Sequence, residues 1–246
     1  MAHRKLFYKG ATKSIYEGET GETLVMHFRD DPTPGQAAGS HTIKGKGVLN
    51  NRISEFIMSR LSAVGISTHL VSRLNMREQV IRTADVFSMR IVIRNTAGPE
   101  LQKRLGLEEN QRLPRPLIEF YLKDDKLGNP LVTEDHLNAF GWATPMDLDE
   151  IYPLAGRTND FLFGMMAGVG FTLVEFSMEV GRVWDDDFSR MVIIDELNPD
   201  VLLLRDDRGG GNPSAEDAAD GIELEDIHTE LALRLGILAP SNSKPG

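Results

Sequence analysis

The sequence has no cysteine among its 246 residues. That absence excludes disulfides, thiolate metal sites and a cysteine nucleophile, and it agrees with a cytoplasmic enzyme. Basic residues are in deficit: 27 Lys and Arg face 37 Asp and Glu, for a net charge of −10. Non-specific nucleic-acid binding needs a basic surface, so no nucleic-acid partner is expected. The acidity serves solubility and leaves room for a local basic pocket that takes a small anion. Long apolar runs are missing as well. No stretch approaches the roughly 20 residues that span a bilayer. MAHRKLFYKG carries charge with no apolar run behind it, so neither a membrane span nor a signal peptide is expected. The six histidines show no metal-ligand spacing and read as structural, and no serine sits in a GxSxG elbow. What is present, 41% apolar and 26% charged residues, suits one large globular domain or two small ones.

The periodicities predict a β-rich beginning and a mixed remainder. LFYKGATKSIYEGETGETLVMHFRDD reads as three strands separated by turns, with ETGE as a hairpin signal. Residues 31–47, with two prolines and many glycines, read as a loop that carries Lys44 and Lys46 near its end. The next segment changes period: Val48, Leu49, Ile53, Phe56, Ile57 and Leu61 share a helical face, and Gly65 stops the helix. STHLVSRL, VIRTAD, SMRIVIRN and PLIEFYLKDD read as strands, and ELQKRLG as a short helix. Residues 146–170 are helical in composition, weakened by Pro153 and several glycines. Residues 206–214 are flexible by composition. The tail beyond Arg208 reads as acidic and helical, and is expected to be mobile and dispensable for nucleotide binding. No internal repeat is found. The fold class is α+β with two lobes: a β-rich lobe over 1–90, an α+β lobe over 91–208, and the tail over 209–246.

Residues 173–200, LVEFSMEVGRVWDDDFSRMVIIDELNPD, collect acids where a hairpin's strands end. With a period of two, Val174, Phe176, Met178 and Val180 form a core face, while Leu173, Glu175, Ser177 and Glu179 form the other. Glu179 and Asp195 then stand on neighbouring strands, and oxygens from two strands suit Mg²⁺, which keeps water and phosphate as its other ligands. Two solvated carboxylates on an edge hairpin are the alternative. In KGATKSIY, Gly10 lets the backbone approach a ligand and Lys13 can meet a phosphate. The spacing is not that of a Walker loop, and a plain hairpin turn is the alternative. Lys123 sits on an apolar strand, where it either reaches a nucleotide or pairs with Asp124 or Asp125. Arg94 closes the run IVIRN, where its fork suits a phosphate or carboxylate, with a surface salt bridge as the alternative.

Taken together, YKGATKSIYEG, KGKGVLNNRISEFIMSRL, GISTHLVSRLNMREQ, VIRN, KRLGLEEN, PLIEFYLKDDKLGNPLVTEDHLNAFGWAT, GFTLVEFSMEVGR and DELNPD resemble the SAICAR synthetase family over roughly residues 5–206. This is the phosphoribosylaminoimidazole-succinocarboxamide synthase family of purine biosynthesis. The resemblance implies a two-lobed fold with ATP in the cleft. It implies an ATP- and Mg²⁺-dependent ligase that joins the carboxylate of an aminoimidazole ribotide to the amine of L-aspartate through an acyl phosphate. Glu179 and Asp195 would be the metal ligands, and with Glu175 the catalytic acids. Gly10, Lys13, Lys123 and Glu179 would meet ATP. Arg94, Glu100, Asp200 and Arg205 would face the ribotide. A homodimer is implied too.

The sequence departs from the family pattern around the implied site. GKAK is GATK here, placing Ala11 at the first lysine; PLEVVVRN is SMRIVIRN, with Ser88 and Arg90. AAGS gives way to AGPE, which puts Glu100 at the serine; DFK becomes EFS, with Glu175 and Ser177; and the arginine after SPD is Leu203, with Arg205 nearby. Two lysines and an arginine are gone, and charge-assisted contacts are each worth about 1.5–3 kcal/mol. The alternatives to the family reaction are a diverged copy that ligates a different acid or amine, and a nucleotide-binding pseudoenzyme.

Overall fold

The computed structural model describes residues 4–32, 44–208 and 222–239. Five antiparallel strands open the chain: β1 (Leu6–Lys9), β2 (Lys13–Glu17), β3 (Thr23–Phe28), β4 (Leu70–Arg73) and β5 (Glu78–Arg82) form one sheet in the order β1-β2-β3-β5-β4. The second sheet is built from β6 (Asp85–Val86), β7 (Met89–Thr96), β8 (Arg112–Leu122), β9 (Leu131–Val132), β10 (Phe171–Asp185), β11 (Phe188–Ile194) and β12 (Leu202–Asp206), with the path β11-β10-β7-β8-β9. The α+β architecture follows the expected one. Among the described residues no helix is long and apolar enough to cross a membrane.

β10 is the spine of the second sheet. Its first half pairs with β7 and β12, and its second half with β11 and β6. Phe176, Met178 and Val180 are buried as alternation predicts. Leu173 is a correction: it was expected beside Glu175 but is fully buried, as is Val174, because the register with β12 shifts between Leu173 and Glu175. An irregularity of this kind places neighbours on the same side.

Helix α1 (Lys46–Ala63) begins inside the segment expected to be loop. Asp30 makes that start possible: its carboxylate accepts from Gly45 N and Gly47 N at 3.1 and 2.9 Å, and Arg77 clamps it from behind at 2.7 and 2.8 Å. These contacts satisfy amides that no helical carbonyl can reach. The buried stripe of α1 also differs from the expected one. Ile53, Ile57 and Leu61 are buried, but so are Lys46, Asn50, Asn51 and Ser54, while Val48, Leu49 and Phe56 are only partly covered. Lys46, Asn50 and Ser54 bond the 195–200 loop, as when Leu197 N donates to Ser54 Oγ at 3.1 Å, while Asn51 donates to the Asn75 carbonyl at 2.9 Å.

Short helices α2 (Pro99–Leu105) and α3 (Glu134–Ala139) border the second sheet, and α4 (Pro145–Gly168) packs on β10. α4 runs unbroken through Pro153, with Thr144 and Asp147 closing its start as a capping box. Pro153 is exposed, as is Asp149, whose carbonyl it leaves unbonded. Residues 209–221 and 240–246 lie outside the described residues. The rest of the tail corrects the expectation of a mobile segment. Helix α5 (Ile222–Arg234) packs on α1, and Leu231 and Ala232 are fully buried.

Candidate active site

The hairpin of β10 and β11 sets Glu179 opposite Ile194, so the next residue, Asp195, leaves the sheet beside it. Asp195 has φ 67°, a left-handed conformation that Asp tolerates better than most residues. This turn sends Glu196 inward, to 4% exposure. Lys13 arrives from the β1–β2 turn and donates to Asp195 Oδ1 at 2.5 Å and to Glu196 Oε1 at 2.6 Å. In that turn Gly10 N donates to Lys13 O at 2.9 Å, and Arg29 donates to the Gly10 carbonyl at 2.8 Å. Lys123, just past the end of β8, donates to Glu179 Oε2 at 2.5 Å. Three carboxylates and two ammonium groups therefore form one cluster.

The cluster's titration follows from burial and crowding. Burial raises the Glu179 carboxyl above its ordinary range, with the charge of Asp195 adding to it and Lys123 opposing. Burial would raise Asp195 too, but the charge and hydrogen bond of Lys13 hold it below the usual carboxylate range. Glu196 is pushed up to about 7 by burial, against Lys13 and with help from Asp195 and Asp200. His69 donates from Nε2 to the Asp195 carbonyl at 3.0 Å, and burial lowers it to about 4, so it is neutral at physiological pH.

Four residues back along β10, Glu175 stands opposite Arg94 of β7. Arg94 is 3% exposed and its fork is fully engaged. It donates to Glu119 at 2.7 Å, to Glu175, to Glu100 at 2.6 Å and to Tyr121 Oη at 3.0 Å. Burial would lower the Arg94 pKa, but Glu175 and Glu119 outweigh it and raise it. Glu175 remains raised because its burial exceeds what Arg94 offsets. Arg94, Glu100, Tyr121 and Glu175 line a cavity of about 380 Å³ whose wall also includes Arg90, Ser177, Asp200 and Leu203. Asp200 is gripped by Lys46 at 3.0 Å and Asn50 at 2.8 Å, with His228 of α5 at 3.3 Å.

The structure thus brings Gly10, Lys13, Lys123, Glu179 and Asp195 to one end, and Arg94, Glu100, Glu175 and Asp200 to the other. Arg205 joins neither. It donates to Thr172 at 3.1 Å and pairs with Asp207 at 3.5 Å, two residues further along β12 than Leu203, which does line the cavity. At roughly 3.3 Å per residue that displacement is about 7 Å. Gly98 sits against the Glu175 and Leu203 side chains. A Cβ there would lie 3.1 Å from a Glu175 oxygen and 3.4 Å from Leu203. Sequence reasoning missed Glu119, Tyr121, Glu196, Asn50 and His228 as members of the site. Glu196 adjoins Asp195 in DEL, and that adjacency was the one available signal.

The fold and this charge pattern define a class: an α+β enzyme whose cleft is suited to phosphoryl transfer to an anionic acceptor. The model of the family described as SAICAR synthetase matches residues 6–216. The chain is 49% identical to phosphoribosylaminoimidazole-succinocarboxamide synthase of Roseobacter denitrificans over 246 residues, covering all of this chain and 97% of that protein. Its structure is similar to a crystal structure of the synthase from Ehrlichia chaffeensis, with TM-score 0.89 and 31% identity over 96% of this chain and all of the other. It is also similar to a SAICAR synthetase solved in complex with ADP, with TM-score 0.86 and 27% identity over 96% and 99% of the two chains. The chain belongs to the SAICAR synthetase family.

Proposed function

We propose that the chain joins carboxyaminoimidazole ribotide and L-aspartate at the expense of ATP, giving SAICAR, ADP and phosphate in de novo purine biosynthesis. The observation that carries this reading is the Lys13–Asp195–Glu196 and Lys123–Glu179 cluster within a full-length family match. A carboxylate does not acylate an amine in water. A ribotide carboxylate oxygen therefore attacks the γ-phosphorus, the bond to ADP breaks, and an acyl phosphate forms. The aspartate nitrogen then attacks the acyl carbon, loses a proton, and phosphate departs with the electrons of the C–O bond. Lys13 and Lys123 hold phosphate oxygens and neutralise them, and Arg94 and Asp200 orient the ribotide so that its carboxylate faces the γ-phosphate.

Glu179 and Asp195 fit a magnesium ion. Burial raises the Glu179 carboxyl and the Asp195 charge adds to it, and a divalent cation between the two would relieve that crowding. Among the described residues no group of three or more Asp, Glu, His or Cys is arranged to hold a metal, so the pair would share its ion with water and phosphate, as magnesium does. Bound there, the ion would screen the charge of the polyphosphate.

The two lobes, over 1–90 and 91–208, are carried over from the sequence reading, although β6 and the start of β7 already pair within the second sheet. The homodimer and the cytoplasmic location are carried over from the resemblance. A second reading, ligation of a different acid, is favoured by the resident carboxylates around Arg94. A coupled ADP-release assay with Mg·ATP, aspartate and the ribotide, followed by product mass spectrometry, separates the two. SAICAR at ordinary turnover supports the family reaction. ATP binding without SAICAR overturns it in favour of the second reading.

A further inference from the structure

We infer that Glu100 is a resident counter-anion: it occupies the cavity-facing edge of Arg94 and must leave before an anionic substrate group can bind there. It thereby sets the affinity for that substrate. This rests on the proposed function and deepens it.

An incoming anion needs a guanidinium edge, and none is open on Arg94. Nε serves Glu119, Nη1 serves Glu175, and Nη2 is divided between Tyr121 and Glu100. Two of the three carboxylates are fixed. Glu119 lies within β8 and is also bound by Arg104, and Glu175 lies within β10; their side chains are 14% and 21% exposed. Glu100 differs in place and in exposure. It stands in the first turn of the seven-residue α2, and its side chain is 44% exposed. Its other oxygen reaches Arg104 at 3.1 Å, so it keeps a charged partner when it swings away from Arg94. Of the three carboxylates on Arg94, Glu100 is the one whose own side chain reaches solvent, so it is the one that an anion can displace.

Arg90 strengthens the case. Its guanidinium lies 5.8 Å from the Tyr121 ring on the same cavity wall, and no carboxylate ion pair holds it among the described residues. A phosphate entering the cavity finds Arg90 directly, and gains the Nη2 edge of Arg94 once Glu100 has turned out. The resident carboxylate also selects: a neutral analogue cannot displace it, while a dianion can.

The test is Glu100→Gln against Glu100→Asp, which keeps the charge. Glu100→Gln is expected to lower the KM for the ribotide about tenfold, with the KM for ATP within twofold of wild type. Glu100→Asp should stay close to wild type. A ribotide KM that is unchanged or raised in Glu100→Gln overturns the inference, as does a parallel fall in both KM values. Calorimetric titration with ribose 5-phosphate keeps this separate from the proposed reaction. If wild type forms no SAICAR but Glu100→Gln still binds the sugar phosphate more tightly, the proposed reaction fails and the displacement stands. If SAICAR forms and sugar-phosphate affinity does not change, the displacement fails and the reaction stands.

Discussion

Glu175 and Glu179 lie on the same face of β10, about 13 Å apart along the strand, and their surroundings treat charge in opposite ways. Around Glu179 the cations are lysines, each a point charge that can exchange a carboxylate for a phosphate without losing geometry. Acids outnumber them three to two, with Glu196 pushed up to about 7, so the cluster has capacity for an added cation. Around Glu175 the cation is an arginine whose planar fork is already filled on every side. On the proposed reading, the first end takes up a metal–phosphate unit. The second is arranged to be satisfied without substrate, and a substrate anion has to compete for it.

The sharpest way to break this comparison is at Asp195. Asn is nearly isosteric and tolerates φ 67°, so Asp195→Asn should fold while losing about a thousandfold in kcat. Unchanged turnover and Mg·ATP affinity, measured together, would remove the nucleotide end from the account. Next in size is Leu231→Ala, which empties a fully buried position in α5. A loss of about 2–4 kcal/mol in denaturant melts is expected. Because α5 carries His228 to Asp200, the ribotide KM should rise more than that for ATP, and equal rises would blur the distinction between the ends. Arg94→Lys keeps a charge but loses the fork. The ribotide KM should rise about 10- to 100-fold with ATP affinity unchanged.

The smallest effect sharpens the first end alone. Glu196 binds more protons folded than unfolded between about pH 4.5 and 7, so it costs the native state stability as pH rises through that window. Glu196→Gln removes this dependence. Its stability relative to wild type should therefore improve from pH 4.5 to 7, by on the order of 2 kcal/mol. His69, lowered to about 4, acts in the reverse sense in both proteins and cancels in the difference.

The two ends were also unequally legible in the sequence. Alternation through Val174–Val180 predicted the hairpin, and the hairpin alone places Glu179 next to Asp195. The Glu175 end depends on strand order, which local pattern does not encode. Glu119 reaches Arg94 because β8 pairs with β7, and Glu175 because β10 pairs on its other side. Lys13 meets Asp195 across 182 residues, and only the family resemblance suggested that they share a site. The polar stripe of α1 and the seat of His228 were hidden for a similar reason. Asn50 and Ser54 look like solvent-facing positions until the 195–200 loop is laid over them. Arg205 failed the other way: nearness to Leu203 in sequence was mistaken for nearness to the cavity.

The most direct test follows the oxygen. With both carboxylate oxygens of the ribotide labelled as ¹⁸O, turnover with Mg·ATP and aspartate should release inorganic phosphate carrying one ¹⁸O per molecule, because the oxygen that bonded phosphorus leaves with it. Unlabelled phosphate accompanying SAICAR would mean that no acyl phosphate forms between the two ends of the site, and the account would be contradicted at its centre.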